Sequence, residues 1–184
     1  MIENNLLSIF IPTFNRGHLI GETLDSFIEQ ISEYRIPIVI SDNCSTDDTF
    51  QVVERYKQKY PYIKYSKNAE NLGFDGNVVK MAELVDTKYC WLFGDDDIIK
   101  KDAITKVLNI LKNDFDLIVA NTSLSSIDLS VQFSYRHLAI DEDRLYDGND
   151  TNKAFVDLVS YTSFIGGLIV KKELWKSVDY SKYM

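Results

Sequence analysis

The chain contains five short apolar runs that are rich in β-branched and aromatic residues. They are Leu6–Ile11, Ile36–Ile40, Tyr62–Tyr65, Tyr89–Phe93 and Leu117–Ala120. All except the third are almost continuously apolar, which is typical of strands buried on both faces of a parallel sheet. The third run is more polar, and the pattern therefore predicts an edge strand there.

Segments with helical periodicity separate these runs. The first has apolar side chains on one helical face, at Ile20, Leu24, Phe27, Ile28 and Ile31. Similar stripes follow at Val52–Tyr60, Val78–Val85 and Ile104–Leu111. Alternating strands and helices over residues 6–120 predict an α/β fold, a three-layer α/β/α sandwich with right-handed crossovers. Ligands of such sheets bind at the carboxyl ends of the strands, so the segments that follow strands one, two and four are expected to converge.

The pattern weakens after residue 120. Thr122–Arg136 is polar and irregular, which fits either a hairpin or an exposed loop. Asp150–Tyr161 predicts a short helix with Phe155, Leu158 and Val159 facing inward. Phe164–Val170 predicts a last strand that begins with two glycines.

Composition and charge narrow the classes of function. The 184 residues include 20 Lys and Arg against 28 Asp and Glu, a net charge of −8. An acidic chain argues against nucleic acid as the partner, because such binders carry a basic surface. No apolar run approaches the roughly 18 residues of a membrane helix, and the acidic start lacks the basic leader of a secretory signal. The two cysteines make no disulfide framework, so a reducing cytoplasm is expected, with peripheral association at the inner face of the membrane left open.

Polar residues follow the first two predicted strands. Strand one leads into Pro12-Thr13-Phe14-Asn15-Arg16, which offers a hydroxyl, a ring and an amide at the sheet edge. Strand two leads into Asp42, whose carboxylate can accept hydrogen bonds from a base or a ribose. Each segment also fits a plain turn, because Asp and Asn favour turns. Neither a dinucleotide fingerprint nor a P-loop is present.

Strand four leads into Gly94-Asp95-Asp96-Asp97. At 4 Å, each neighbouring pair of carboxylates costs about 1 kcal/mol in water and about 4 kcal/mol at an effective dielectric constant of 20. A solvated acidic turn would tolerate this repulsion. The alternative is a hard divalent cation, which neutralises the cluster and bridges to a diphosphate. A cation would also explain how an acidic protein binds an anionic ligand.

A loop rich in asparagine and glycine, Asn68–Asn77, precedes the third helix. Its residues include Asn71 and Asn77, whose amides could reach a ligand at the same rim. The same composition fits a tight turn with no ligand.

Together these segments resemble glycosyltransferase family 2, whose members have the GT-A fold, a Rossmann-like nucleotide-diphospho-sugar transferase fold. The matching pieces are Ser8–Arg16, Ile38–Asp47, Asn71-Leu72-Gly73 and Gly94–Asp97 with Asp102 following. Within the family, the Gly-Asp-Asp-Asp variant and Gly166-Gly167 are similar to abequosyltransferase-like bacterial enzymes that build surface polysaccharide.

The resemblance implies roles for particular residues. It places nucleotide-sugar binding at Pro12, Thr13, Phe14, Arg16, Asp42, Asn71, Asn77 and Asp95. It implies Mg²⁺ or Mn²⁺ as cofactor, held by Asp96. Gly94 stands where the family has the first carboxylate of its Asp-X-Asp motif, and Asp95 and Asp97 are the candidates to compensate for it.

The activity implied is inverting transfer from a nucleoside-diphosphate sugar to a hydroxyl of a saccharide or a lipid-linked saccharide. Residues 1–184 are expected to form a single domain, with a nucleotide-sugar-binding half (1–120) and the start of an acceptor-side half (121–184). The family's catalytic base lies further on, so its identity is unknown and truncation is expected. A non-catalytic nucleotide-sugar binding module is one alternative. A sugar-1-phosphate nucleotidyltransferase is another, although the loop after strand one has a single glycine, Gly17.

Overall fold

A computed structural model describes residues 5–126, 130–134, 138, 140, 142–159 and 164–182. The strands are β1 (Leu7–Thr13), β2 (Ile38–Asp42), β3 (Ile63–Lys67), β4 (Tyr89–Leu92), β5 (Leu117–Val119), β6 (Leu124–Ser125), β7 (Gln132–Ser134) and β8 (Leu168–Lys171). The α-helices are α1 (Ile20–Ile31), α2 (Thr49–Lys59), α3 (Gly73–Val79), α4 (Met81–Leu84), α5 (Ala103–Ile110), α6 (Thr151–Leu158) and α7 (Lys172–Lys176). None of the helices in these residues is both long and apolar enough to span a bilayer.

Six strands form one mixed sheet in the order β3-β2-β1-β4-β8-β5. The first four run parallel, and β8 is antiparallel to both of its neighbours. This arrangement confirms the predicted α/β fold and the edge position of β3. The strands β6 and β7 pair with each other, so the described part of the region after residue 120 contains the hairpin and not only a loop.

Helices cover both faces of this sheet. On one face, Ile9 and Ile11 of β1 pack in a core with residues of α1, α2 and α5. On the other face, Phe10 packs with residues of α3 and α4, and Trp175 of α7 packs against the same cluster. Successive residues of a strand point to opposite faces, so a strand covered on both sides must be apolar throughout. This is why β1 is a nearly continuous apolar run.

The sequence predicts a buried strand at Leu117–Ala120, and the burial is wrong. The strand β5 lies at the outer edge of the sheet, and Leu117 is 46% exposed. The strand β8 comes from much later in the chain and occupies the place between β4 and β5. The two glycines of the predicted last strand form a 3₁₀ turn over Ile165–Gly167, and β8 begins after it.

The helix predicted at Asp150–Tyr161 forms over Thr151–Leu158, and two of its three inward positions are wrong. Phe155 and Val159 are 66% and 42% exposed, while Leu158 is half-buried. The preceding segment packs on another side of the helix, where the Tyr146 hydroxyl donates to Asp157 at 2.8 Å. Residues 160 and 161 of the predicted helix lie outside the described residues.

Candidate functional site

The carboxyl ends of β1, β2 and β4 meet at one edge of the sheet, as the strand order predicts. Thr13 at the end of β1 pairs in register with Asp42 at the end of β2. The Thr13 hydroxyl donates a 2.7 Å hydrogen bond to Oδ2 of Asp95, three residues beyond β4. Thr13 therefore joins the three strand ends into one site.

The three carboxylates after β4 face different surroundings. Asp95 points back to Thr13 and is half-buried, Asp96 is exposed, and Asp97 is half-buried. Burial raises the pKa of Asp95, although the hydrogen bond from Thr13 acts against this. Burial, followed by the charge of Asp96, raises the pKa of Asp97 to about 6. The triplet thus concentrates negative charge at a place where water solvates it incompletely.

Asp96 and Asp97 line a large open cavity of about 1940 Å³. Arg16 lies at the same cavity and is near enough to lower the pKa of Asp95 through its charge. The cavity continues past α5 to β6 and to α6. Small-molecule sites are commonly between about 300 and 1,000 Å³, so the space exceeds that of one such ligand.

Asp42 is completely buried, and both of its carboxylate oxygens are engaged by the protein. Oδ1 accepts a 2.8 Å hydrogen bond from the Ser45 amide, and Oδ2 accepts one from the Tyr65 hydroxyl. Burial, followed by the hydrogen bond to Asp42, raises the pKa of Tyr65, so the hydroxyl stays protonated as a donor. The base contact that the resemblance implies for Asp42 stays a prediction, and it would use the lone pairs that these donors leave free.

The asparagine-rich loop is tied to the end of β2. The Asn77 amide is 3% exposed; its oxygen accepts from the Ser41 hydroxyl at 2.7 Å, and its nitrogen donates to the Ser41 carbonyl at 2.9 Å. Asn68 also donates to the Asn77 oxygen at 2.9 Å. The Asn71 oxygen accepts from Asn43 Nδ2 at 2.7 Å.

Sequence reasoning missed Asn43 and Asn68, the partners of the two asparagines that it named. Both carry a short amide at a turn beside a strand end, and that was the available signal. Direct ligand contact by Asn71 and Asn77 stays a prediction, since the polar atoms of Asn77 are engaged within the protein.

The loop after β1 is laced to the loop after β2. Asn15, at a φ of 54°, donates from its amide to the Ser45 hydroxyl at 2.8 Å. The Gly17 amide donates to Asp47 at 3.0 Å. Gly17 is required there, because a β-carbon would lie 2.1 Å from an Asp48 carboxylate oxygen.

The remaining predicted residues of this loop differ in exposure. Pro12 is buried within β1 and has no surface to offer a ligand in this arrangement. The Phe14 ring, 42% exposed, and the Arg16 side chain, also exposed, face outward from the same rim. An aromatic face and a cation beside a carboxylate cluster can contact a base and a phosphate, respectively.

Comparison with known proteins agrees with this geometry. The model for "Glycosyl transferase family 2" matches residues 8–169. The chain belongs to glycosyltransferase family 2. Abequosyltransferase RfbV of Salmonella typhimurium is 32% identical over 184 residues, which is 95% of this chain and 55% of that protein. The family favours a transferase enzyme over a nucleotidyltransferase or a non-catalytic module.

Two crystal structures share the fold. Residues 1–349 of Staphylococcus aureus TarS match with a TM-score of 0.75 and 20% identity, over 94% of this chain and 48% of that one. The mannosyltransferase PcManGT of Pyrobaculum calidifontis, in complex with GDP-Man and Mn²⁺, matches with a TM-score of 0.64 and 17% identity, over 94% of this chain and 46% of that one. The GT-A fold is confirmed. The chain spans about half the length of RfbV and of both solved chains.

Proposed function

We propose that this chain binds the donor and the cation of an inverting glycosyltransferase. The enzyme moves a sugar from a nucleoside-diphosphate sugar to a hydroxyl of a saccharide or lipid-linked saccharide in bacterial surface polysaccharide synthesis. Support comes from the family, from the name of RfbV and from the GDP-Man that PcManGT binds. The observation that carries the proposal is the Thr13–Asp95 hydrogen bond, which brings the acidic triplet to the ends of β1 and β2.

The donor set fits Mg²⁺ or Mn²⁺. Both ions prefer oxygen ligands, and Mg²⁺ commonly takes one or two carboxylates and completes its coordination with substrate phosphates and water. Among the described residues, no group of three acidic, histidine or cysteine side chains is arranged to enclose an ion. Asp96, which is exposed at the cavity, is the residue that we propose holds the cation. A cation there supplies positive charge to the departing diphosphate.

The other side chains position the donor. We propose that the Phe14 ring and Asp42 contact the nucleoside, that Asp95 faces the ribose, and that Arg16 faces a phosphate. Asn71 and Asn77 shape the loop beside the base through their bonds to Asn43 and Ser41. Because Asp42 and Asp95 are already held by Tyr65 and Thr13, the site would pay little reorganisation entropy when a donor binds.

Binding measurements test this proposal. Isothermal titration with UDP, CDP, GDP and dTDP, each with and without Mn²⁺, should show one diphosphate whose affinity rises at least about ten-fold with the metal. Asp96→Asn should remove that gain. Asp102→Asn is the matched control, because Asp102 is an exposed carboxylate near the triplet whose φ of 62° asparagine adopts readily. Absence of binding to all four, or a gain that persists in Asp96→Asn, would overturn the proposal.

A further inference from the structure

The carboxylate of Asp97 lies between two glycines from distant parts of the chain. A β-carbon added at Gly94 would lie 2.5 Å from Asp97 Oδ2, and one added at Gly166 would lie 3.0 Å from the same oxygen. Real β-carbons essentially never approach an atom closer than 3.0 Å, and both glycines are buried. The present position of Asp97 therefore requires glycine at residue 94 and tight contact at residue 166.

Gly166 is itself fixed by hydrogen bonds around its turn. The Trp91 indole N–H donates to the Gly166 carbonyl at 2.9 Å, and this bond is buried. The Ala120 amide donates to the Gly167 carbonyl at 2.7 Å. Trp91 is 4% exposed and packs edge-to-face on Phe27, so its indole has little freedom to move. The turn is thus anchored to the core of the sheet.

Gly94 also leaves space in which two carboxylates approach each other. An oxygen of Asp96 lies 3.2 Å from the β-carbon position of Gly94, and Asp97 Oδ2 lies 2.5 Å from it. Both side chains line the cavity where the donor is proposed to bind. Their charges raise the pKa of Asp97 in addition to its burial, as expected for like charges held close together.

We propose that Asp97 is a second carboxylate for the donor's cation, and that Gly166 and Trp91 are positioning residues that hold it toward Asp96. This inference rests on the proposed function, because it concerns the same cation. The family's first motif carboxylate is absent at Gly94. Its absence gives Asp97 the room to turn toward Asp96, so a carboxylate from three residues later serves in its place. Groups that orient a metal ligand typically change metal affinity by about 10- to 100-fold when they are mutated.

The experiment measures Mn²⁺ affinity by electron paramagnetic resonance, with Mn²⁺ alone and with each of the four nucleoside diphosphates. Asp97→Asn removes the charge with little change of shape, Gly94→Ala places a methyl group against the carboxylate, and Trp91→Phe removes only the indole donor and part of the ring. Gly148→Ala is the matched control, because no atom lies within 4 Å of its added β-carbon. Diphosphate affinity without metal is measured in parallel, and circular dichroism confirms folding.

The expected result is a loss of Mn²⁺ affinity of about ten-fold or more in Asp97→Asn and Gly94→Ala, and of about three-fold in Trp91→Phe. Diphosphate affinity without metal should stay within about two-fold of the wild type, because a general structural defect would lower both affinities. If Gly94→Ala does not fold, the nearly isosteric Asp97→Asn decides the matter.

Two further outcomes separate this inference from the proposed function. Wild-type Mn²⁺ affinity in Asp97→Asn, with loss in Asp96→Asn, overturns the inference and leaves the proposed function standing. Equal losses of metal-dependent and metal-free binding in Asp97→Asn also overturn the inference. A wild type whose diphosphate affinity does not respond to Mn²⁺ overturns both.

Discussion

The two polar clusters at the carboxyl edge of the sheet are built in opposite ways. At the end of β2, Asp42 and Asn77 are buried, and protein donors and acceptors engage their polar atoms. At the end of β4, three carboxylates meet, Asp97 carries a raised pKa, and Arg16 is the cation that acts on Asp95. A protein keeps a repulsive cluster where a ligand later neutralises it, because unpaired charge otherwise costs stability. We therefore regard the β2 end as scaffold and the β4 end as the place where a cation binds.

The largest expected effect breaks the scaffold. Asn77→Leu keeps the approximate volume but leaves the Ser41 hydroxyl, the Ser41 carbonyl and the Asn68 amide without their partner. Each buried polar group left unpaired costs about 1–3 kcal/mol, so we expect the free energy of unfolding to fall by about 3 kcal/mol in urea titrations. Asn109→Leu, on the exposed side of α5, should change it by less than about 0.5 kcal/mol. A variant that keeps wild-type stability but loses diphosphate binding would make Asn77 a ligand contact instead.

The next effect concerns the β4 end and comes from the metal. Mn²⁺ with the preferred nucleoside diphosphate, at about 100 times its dissociation constant, should stabilise the fold by about 2.7 kcal/mol. For a chain of this length, each kcal/mol raises the midpoint of thermal unfolding by about 2–4 °C. Differential scanning calorimetry measures the shift, and EDTA should reverse it. The same shift in Asp96→Asn would show that the ion binds elsewhere.

A smaller effect is expected from the hydroxyl that holds Asp42. Tyr65→Phe removes the donor to Oδ2 of a fully buried carboxylate. Hydrogen bonds to charged groups contribute about 1.5–3 kcal/mol, and because Tyr65 itself is half-buried, so that water can partly replace it, we expect a loss near 1.5 kcal/mol. Tyr62→Phe, one residue before β3, is the matched control. Equal losses in the two variants would mean that the bond to Asp42 has no special weight.

The sequence predicts most of the central fold because strands buried on both faces must be apolar throughout, as β1 is. It fails at β5, where the apolar run is the same but the neighbour is β8, from almost fifty residues later. It fails again at Phe155, since a helical stripe shows that one face is apolar but does not show what packs on it.

The site follows the same division. The convergence of Thr13, Asp42 and Asp95 follows from strand order, because the carboxyl ends of parallel strands share one edge. The engagement of Asp42 by Tyr65 and the contact of Gly166 with Asp97 lie beyond the sequence pattern. Both depend on side chains that come together only through the tertiary fold, at sequence separations that no local spacing reveals.

The smallest expected effect sharpens the comparison, because here the removal of a charge should stabilise the protein. Burial and Asp96 raise the pKa of Asp97 from its usual value near 4 to about 6, so the ionised carboxylate is less favourable in the folded state. A shift of this size corresponds to about 3 kcal/mol, which solvent exposure reduces to about 1 kcal/mol. Without metal at pH 7.5, Asp97→Asn should therefore raise the free energy of unfolding by about 1 kcal/mol. The penalty grows as the pH rises from about 4 to about 6 and is absent below, so the two proteins should be equally stable at pH 4. A variant less stable than the wild type at pH 7.5 would show that Asp97 is structural, and the contrast between the two ends of the sheet would then be lost.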